Sequence, residues 1–377
     1  MMIPPLDLTR QYQTIEAEVS AAVLDVLSSG RYINGPVVDT FAQQFGEYVF
    51  EGAGAAPETV MCNSGTDALY LALRALNIGP GDEVITSPFT FIATAETISA
   101  VGAKPVFVDI TLDSFNLDVD QLEAAITPNT KAVMPVHLFG RPVNMDRVMA
   151  IAKAHSLPVI EDCAQATGAK WGDCRVGSIG DFGCFSFFPS KNLGGCGDGG
   201  ALTAHDASQA QTAQIVAAHG SRVKYYHEAI GINSRLDAMQ AAILQVKLKH
   251  LEKWNQGRTA VAQRYEALLA PIDEVQTPQP IAGGTCVWNQ YTLLIEGVTG
   301  EGRDRIRDAM KDQGILCMVY YPLPLHQQPV YESLGQPVGS LPNAEQAAQQ
   351  VLSLPMFPEL QPEQQEKVVY ALKTALV

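Results

Sequence analysis

Apolar positions along the chain change their period as the sequence advances. Residues 10–29, RQYQTIEAEVSAAVLDVLSS, repeat apolar side chains at helical spacing and stop at Gly30, which predicts one amphipathic helix. From residue 58 the pattern becomes short apolar runs alternating with helical stretches. TVMC precedes TDALYLALRAL, EVIT precedes FIATAETISAVG, and PVFVDI follows; KAVMPVHL then precedes MDRVMAIAKAH and PVIED. Such alternation predicts βαβ units and a mostly parallel sheet. A long helix is expected over roughly 236–256, from the spacing of Met239, Ile243, Val246 and Leu251. Beyond it, QYTLLIEG and ILCMVYYP read as strands, and GRDRIRDAMKDQG, NAEQAAQQVLSL and residues 362–376 read as mainly helical. The expected organisation is an N-terminal helix with a large domain over 1–250 and a smaller α/β domain over 251–377. The stretch EGAGAAPE at 51–58 reads as a surface loop.

Composition narrows the function classes. With 377 residues, 47% of them hydrophobic and 17% charged, the chain can bury a sizeable core. A net charge of −15 without a basic run argues against a nucleic-acid partner. The opening MMIPPLDLTRQYQ has no signal-peptide pattern, and no apolar segment is long enough to span a bilayer, so a cytoplasmic protein without a membrane partner is expected. Seven cysteines (62, 163, 174, 184, 196, 286 and 317) contain no C-x-x-C, and the seven histidines show no metal-ligand spacing. Neither a disulfide framework nor a metal site is expected.

Chemistry concentrates around FFPSKNLGGCGDGGAL, residues 187–202. Gly195, Gly197 and Gly200 satisfy G-x-G-x-x-G, the only support for a nicotinamide oxidoreductase. ALTAHD after them reads as a strand rather than a helix, which disfavours that reading. Lys191 precedes the glycines, so the segment is not a P-loop either. A lysine closing the apolar run FGCFSFF would be partly desolvated, which lowers its pKa and makes it a nucleophile for a carbonyl; the plain alternative is a lysine with its charge in solvent. A Schiff-base lysine holding pyridoxal phosphate needs a carboxylate for the pyridinium nitrogen, and Asp162 in PVIEDCAQ stands at a strand's carboxyl end. The phosphate needs a cradle, and MCNSGTDALYLAL runs from a strand through Ser-Gly-Thr into a helix, where Gly65 and Thr66 offer N–H groups and a hydroxyl. Helix capping alone would also explain that turn.

NSGTDAL, GDEVITSPFTFIATAETI, PVIEDCAQATGA, SFFPSKNLGGCGDGGAL and GINSRLDAMQAAIL together resemble the DegT/DnrJ/StrS family of sugar-nucleotide aminotransferases, over nearly the whole chain. The resemblance implies fold type I of the pyridoxal-phosphate enzymes, with a seven-stranded, mostly parallel sheet in the large domain. It also implies that Lys191 forms the Schiff base with pyridoxal 5'-phosphate and shuttles a proton, the cofactor passing through its pyridoxamine form. Asp162 would pair with the ring nitrogen, and Gln165 would meet the ring hydroxyl. Ser186, Gly65 and Thr66 would bind the phosphate, and Phe91 would stack on the ring, with Phe89 close by. A homodimer with shared active sites is implied, in which Asn233 reaches the partner's phosphate and Arg235 lies near its substrate. Branch members that dehydrate carry histidine in place of the lysine, so Lys191 implies amino transfer, with glutamate as donor.

VYYPLPLHQQP resembles the loop that contacts the sugar in enzymes aminating C3 of a nucleotide-linked 3-keto sugar. Tyr320, Tyr321 and His326 are its candidate contacts. Members acting on a UDP-linked uronate have histidine where this chain has Tyr320, which puts carboxylate recognition in doubt unless Arg235 supplies the charge. A UDP- or dTDP-linked sugar and a role in polysaccharide biosynthesis are the family-level expectations. The alternatives are amination at C4 and a noncatalytic sensor or regulator that keeps the cofactor pocket.

Overall fold

The computed structural model describes residues 2–51, 53 and 58–377. The expected loop at 51–58 therefore falls largely outside the described residues. The first helix, α1 (Leu8–Ser29), ends on Gly30 at φ 66°, the left-handed conformation a glycine adopts without penalty. A second helix not expected from the sequence, α2 (Pro36–Val49), opens on proline at its first turn and buries Val38, Phe41, Phe45 and Val49 along one stripe.

Seven strands build the main sheet: β1 (Glu58–Cys62), β2 (Glu83–Thr86), β3 (Lys104–Phe107), β4 (Thr130–Met134), β5 (Ile160–Asp162), β6 (Phe182–Ser186) and β7 (Gly200–Ala204). Their order is β1-β7-β6-β5-β4-β2-β3. The two halves meet where β4 continues beside β5: Val133 N–H donates to Pro158 O (3.0 Å), and Asp162 N–H donates to Pro135 O (2.9 Å). Strand β7 runs antiparallel to both neighbours, and the remaining pairings are parallel. The mostly parallel, seven-stranded expectation is met.

Both faces of the sheet are covered, which explains why its strands are apolar runs rather than alternating ones. Along β6, Phe182 and Cys184 face a cluster with α3 (Gly65–Ala75) and α6 (Ala207–Ala217). Phe185 and the following Phe187 face the opposite cluster, with α2 and α7 (Ala238–Leu248). Each such ring, removed from water, contributes about 1.5–3 kcal/mol. Phe45 meets Phe185 edge-on at 5.0 Å, pinning α2 to the sheet. Helices α4 (Ala93–Ala100) and α5 (Met145–Ala154) follow β2 and β4.

Two sequence expectations fail locally. The single helix expected over 236–256 is two, α7 and α8 (Leu251–Leu269), because His250 N–H bonds the carbonyl of Lys247 (3.0 Å) in a tighter turn. ILCMVYYP forms no continuous strand; among the described residues it pairs only at Ile315 with Ile3 and at Met318 with Ser353. A second sheet joins β8 (Val275–Gln276), β9 (Tyr291–Ile295) and β10 (Val351–Leu354), all antiparallel. Its core includes side chains of α8, α9 (Gly300–Asp312) and α11 (Pro362–Ala375), together with Ile3 from the chain's start. α10 (Pro342–Gln350) packs instead against Phe89, Phe115 and Leu294.

Candidate active site

The carboxyl ends of β1, β5 and β6 open on a cavity of about 440 Å³. Where β1 turns into α3, Ser64 caps the helix by accepting the N–H of Asp67 (3.0 Å). Ser234 Oγ braces the same turn, accepting from Asn63 N (3.0 Å) and donating to Asp67 Oδ2 (2.6 Å). A Cβ on Gly65 would stand 2.7 Å from Ser186 Cβ, so only glycine lets the turn approach β6 this closely. Ser64, Gly65, Thr66 and Ser186 all line the cavity, and the helix N-terminus there favours an anion. A phosphate fits this cradle.

Asp162 ends β5, buried to 4% exposure. Its Oδ2 accepts from Thr94 Oγ1 (2.8 Å) and its Oδ1 from Ala164 N (3.1 Å). Since the only hydroxyl proton of Thr94 goes to the carboxylate, Thr90 donates to Thr94 across 3.1 Å. Burial raises the pKa of Asp162; the two hydrogen bonds and the charge of Lys191 oppose that rise.

Lys191 sits in the loop between β6 and β7, which the structure fastens from several sides. Lys247 donates to Gly194 O (2.6 Å), and Gln240 accepts from Cys196 N (2.8 Å). Asn192 Nδ2 bonds Asn255 Oδ1 (2.7 Å) and Val287 O (2.8 Å), and its Oδ1 accepts from Asn289 (2.8 Å). Lys191 as a residue keeps partial exposure to the cavity, whereas its ammonium is enclosed by protein. That enclosure pushes its pKa down to about 8, against the opposing attraction of Asp162. The glycines after it lead into strand β7, not into a helix, so they frame a lysine loop rather than a dinucleotide turn.

A desolvated lysine, a buried carboxylate and an anion cradle on one cavity are the donor set for a pyridine ring that carries an aldehyde and a phosphate. Residues 13–373 match the DegT/DnrJ/EryC1/StrS aminotransferase family. The chain belongs to this family. It is 48% identical to the pleiotropic regulatory protein of Geobacillus stearothermophilus, over 98% of this chain and 97% of that one. It is 44% identical to the UDP-N-acetyl-3-dehydro-alpha-D-glucosamine 3-aminotransferase of Acidithiobacillus ferrooxidans, over 99% and 98% of the two chains. Among solved structures it is similar to DesV of S. venezuelae in complex with a ketimine intermediate: TM-score 0.93 and 43% identity, covering 99% of this chain and 98% of that one.

In this member of the DegT/DnrJ/EryC1/StrS family the remaining expected site residues divide. Phe91 lines the cavity and is 57% exposed, while Phe89 is fully buried against Phe115 and Tyr321, which separates the two rings of FTF. Gln165 lines the cavity, with its Oε1 accepting from Phe139 N (2.7 Å) and its Nε2 donating to Tyr321 OH (3.1 Å). Tyr320 and Tyr321 line it as well. His326 does not. It is 3% exposed and bonds Glu345 Oε1 at 3.1 Å, and Glu345 also accepts from Gly339 N, so the imidazole braces a loop instead of facing the cavity. Asn233 and Arg235 are exposed and outside the residues that line this cavity. Thr90, Thr94, Asp198 and Gln290 line it without having been singled out in the sequence. Thr90 lies before α4 and Thr94 in its first turn, so no helical periodicity announced their pairing.

Proposed function

We propose that this chain is a pyridoxal 5'-phosphate-dependent aminotransferase that moves an amino group from glutamate to C3 of a UDP- or dTDP-linked keto sugar. The observation that carries the reading is Lys191, held near a pKa of 8 beside Asp162 in a cavity whose wall includes the Gly65–Ser186 cradle. The cofactor, when bound, supplies an electron sink for the carbon that gains or loses nitrogen. Lys191 Nζ supplies the amine for its aldehyde and the base that moves a proton at the substrate carbon. Asp162 supplies the anion for the ring nitrogen. Gly65, Thr66 and Ser186 take the phosphate, Phe91 takes the ring face, and Gln165 takes the ring hydroxyl.

A homodimer with shared active sites belongs to this reading. Val223, Tyr225, Tyr226 and Ile230 are 60% to 84% exposed around the hairpin of Ser221–Val223 and Tyr226–His227, an apolar face that a second copy would cover. Asn233 and Arg235, also at the surface, would then serve the partner's cavity. Among the described residues no helix is long and apolar enough to cross a membrane, and nucleotide sugars fit a cytoplasmic setting.

The test is an absorption spectrum of the protein with pyridoxal phosphate, before and after glutamate. The reading expects a visible band that glutamate bleaches to the pyridoxamine form. A band that no amino acid bleaches supports a regulator that binds cofactor without using it, the role suggested by the name of the Geobacillus relative. No band at all refutes the assignment of Lys191.

A further inference from the structure

Gln290 is a polar side chain on the cavity whose partner the protein does not supply. Its Oε1 is buried and makes no hydrogen bond within the described residues. Leaving a buried acceptor unpaired is costly, so a position of this kind calls for something else to complete it.

The surroundings say what that is. Gln290 and Tyr320 line both the main cavity and a small adjoining cleft of about 50 Å³, walled by Pro5, Leu6 and the segment around Leu354. The backbone beneath Gln290 is fixed. Arg258 donates to the carbonyls of Trp288 (3.0 Å) and Asn289 (3.2 Å), while Asn289 Nδ2 reaches Ser190 O (3.4 Å), the residue before Lys191. The backbone that carries Gln290 is thus tied to the lysine loop. Charge then separates the two substrates. Among the described residues of this chain that line the cavity, Lys191 is the one cation, against Asp162 and Asp198, and a cation for the donor's carboxylates would come from Arg235 of the second copy rather than from this wall. A wall made of an amide and a phenol offers a dicarboxylate donor nothing to neutralise it, whereas it matches sugar hydroxyls, which donate and accept at once.

We propose that Gln290 is a binding residue for the acceptor sugar, its side chain turning so that the amide oxygen takes a hydrogen bond from a sugar hydroxyl, with Tyr320 beside it. This rests on the aminotransferase reading above. The two half-reactions separate its failure from the failure of that reading. The pyridoxal-phosphate form is mixed either with glutamate or with a panel of UDP- and dTDP-linked 3-amino sugars, and loss of the visible band is followed in wild type and Gln290→Leu. Wild-type intensity of that band in the variant certifies an intact site.

The expected result is a half-saturating amino-sugar concentration raised about five- to hundred-fold in Gln290→Leu, with the half-saturating glutamate concentration changed less than about two-fold. Gln290→Glu, which keeps an accepting oxygen, recovers part of that loss. Equal losses with both substrates, a loss confined to glutamate, or no loss at all each overturn the proposal. A wild-type protein that reacts with glutamate but with none of the amino sugars overturns the functional reading, and this proposal with it.

Discussion

The lowered pKa of Lys191 has a direct kinetic signature. An ordinary lysine near 10.5 is neutral in only about 0.03% of molecules at pH 7, whereas one at about 8 is neutral in roughly 9%, so the reactive fraction rises roughly 300-fold. The neutral amine attacks the aldehyde. The rate of pyridoxal phosphate capture by cofactor-free protein should therefore climb about ten-fold per pH unit and level off above about pH 8. Growth of the visible band, followed by stopped flow across that range, reads it. Nα-acetyl-lysine in parallel should go on climbing towards its own, higher pKa.

The cause of the shift is testable in the same assay. Enclosure lowers the pKa of Lys191 and the Asp162 charge raises it, so Asp162→Asn removes the opposing effect and moves the inflection further down. The direction matters, because a lysine held mainly by its ion pair would also respond this way but would start above its ordinary value. A wild-type inflection near 10.5, or an upward movement in Asp162→Asn, refutes the reasoning.

Two other perturbations address the walls of the cavity. Gly65→Ala places a Cβ 2.7 Å from Ser186 Cβ, so the turn must shift; affinity for pyridoxal phosphate should fall at least about ten-fold by absorbance titration with the circular-dichroism spectrum retained, and unchanged affinity would remove the cradle from the site. Thr94→Val takes away one of the two protein hydrogen bonds recorded on Asp162, worth about 1.5–3 kcal/mol for a charged acceptor; cofactor affinity should drop roughly ten- to hundred-fold, and Thr94→Ser should restore it.

The legible parts of this molecule were those fixed by local pattern. Strands read as apolar runs because both faces of the sheet are covered, and Asp162, Lys191 and Gly65 stood out because each follows a strand at the edge where α/β proteins bind ligands. What escaped depends on neighbours distant in sequence. Thr94 matters through a carboxylate 68 positions away, and Gln290 through a loop about a hundred residues earlier. The break between α7 and α8 carries neither proline nor glycine to announce it. His326 misled for a related reason: its place in a loop rich in candidate contacts gave no sign that Glu345 would draw it inward.

The tripeptide Glu161-Asp162-Cys163 shows how strand geometry turns adjacent residues to different work. Successive side chains on β5 point to opposite faces, so Asp162 meets the cavity while Glu161 meets His137 (2.9 Å) on the other side. His137 Nδ1 accepts from Val143 N, which places its proton on Nε2, facing the Glu161 carboxylate. The second oxygen of Glu161 accepts from Ile179 N (2.9 Å) and Gly180 N (2.7 Å). Cys163 lies close enough for the three to resemble a metal site, yet hydrogen bonds already engage both imidazole nitrogens and both carboxylate oxygens, and burial drives the Cys163 thiol pKa well up, away from the thiolate a metal needs. Glu161 thereby anchors the segment that follows β5 to its neighbours. That anchoring holds the strand end steady from behind, which leaves Asp162 with its two hydrogen bonds and its orientation towards Lys191 as consequences of one residue's alternation.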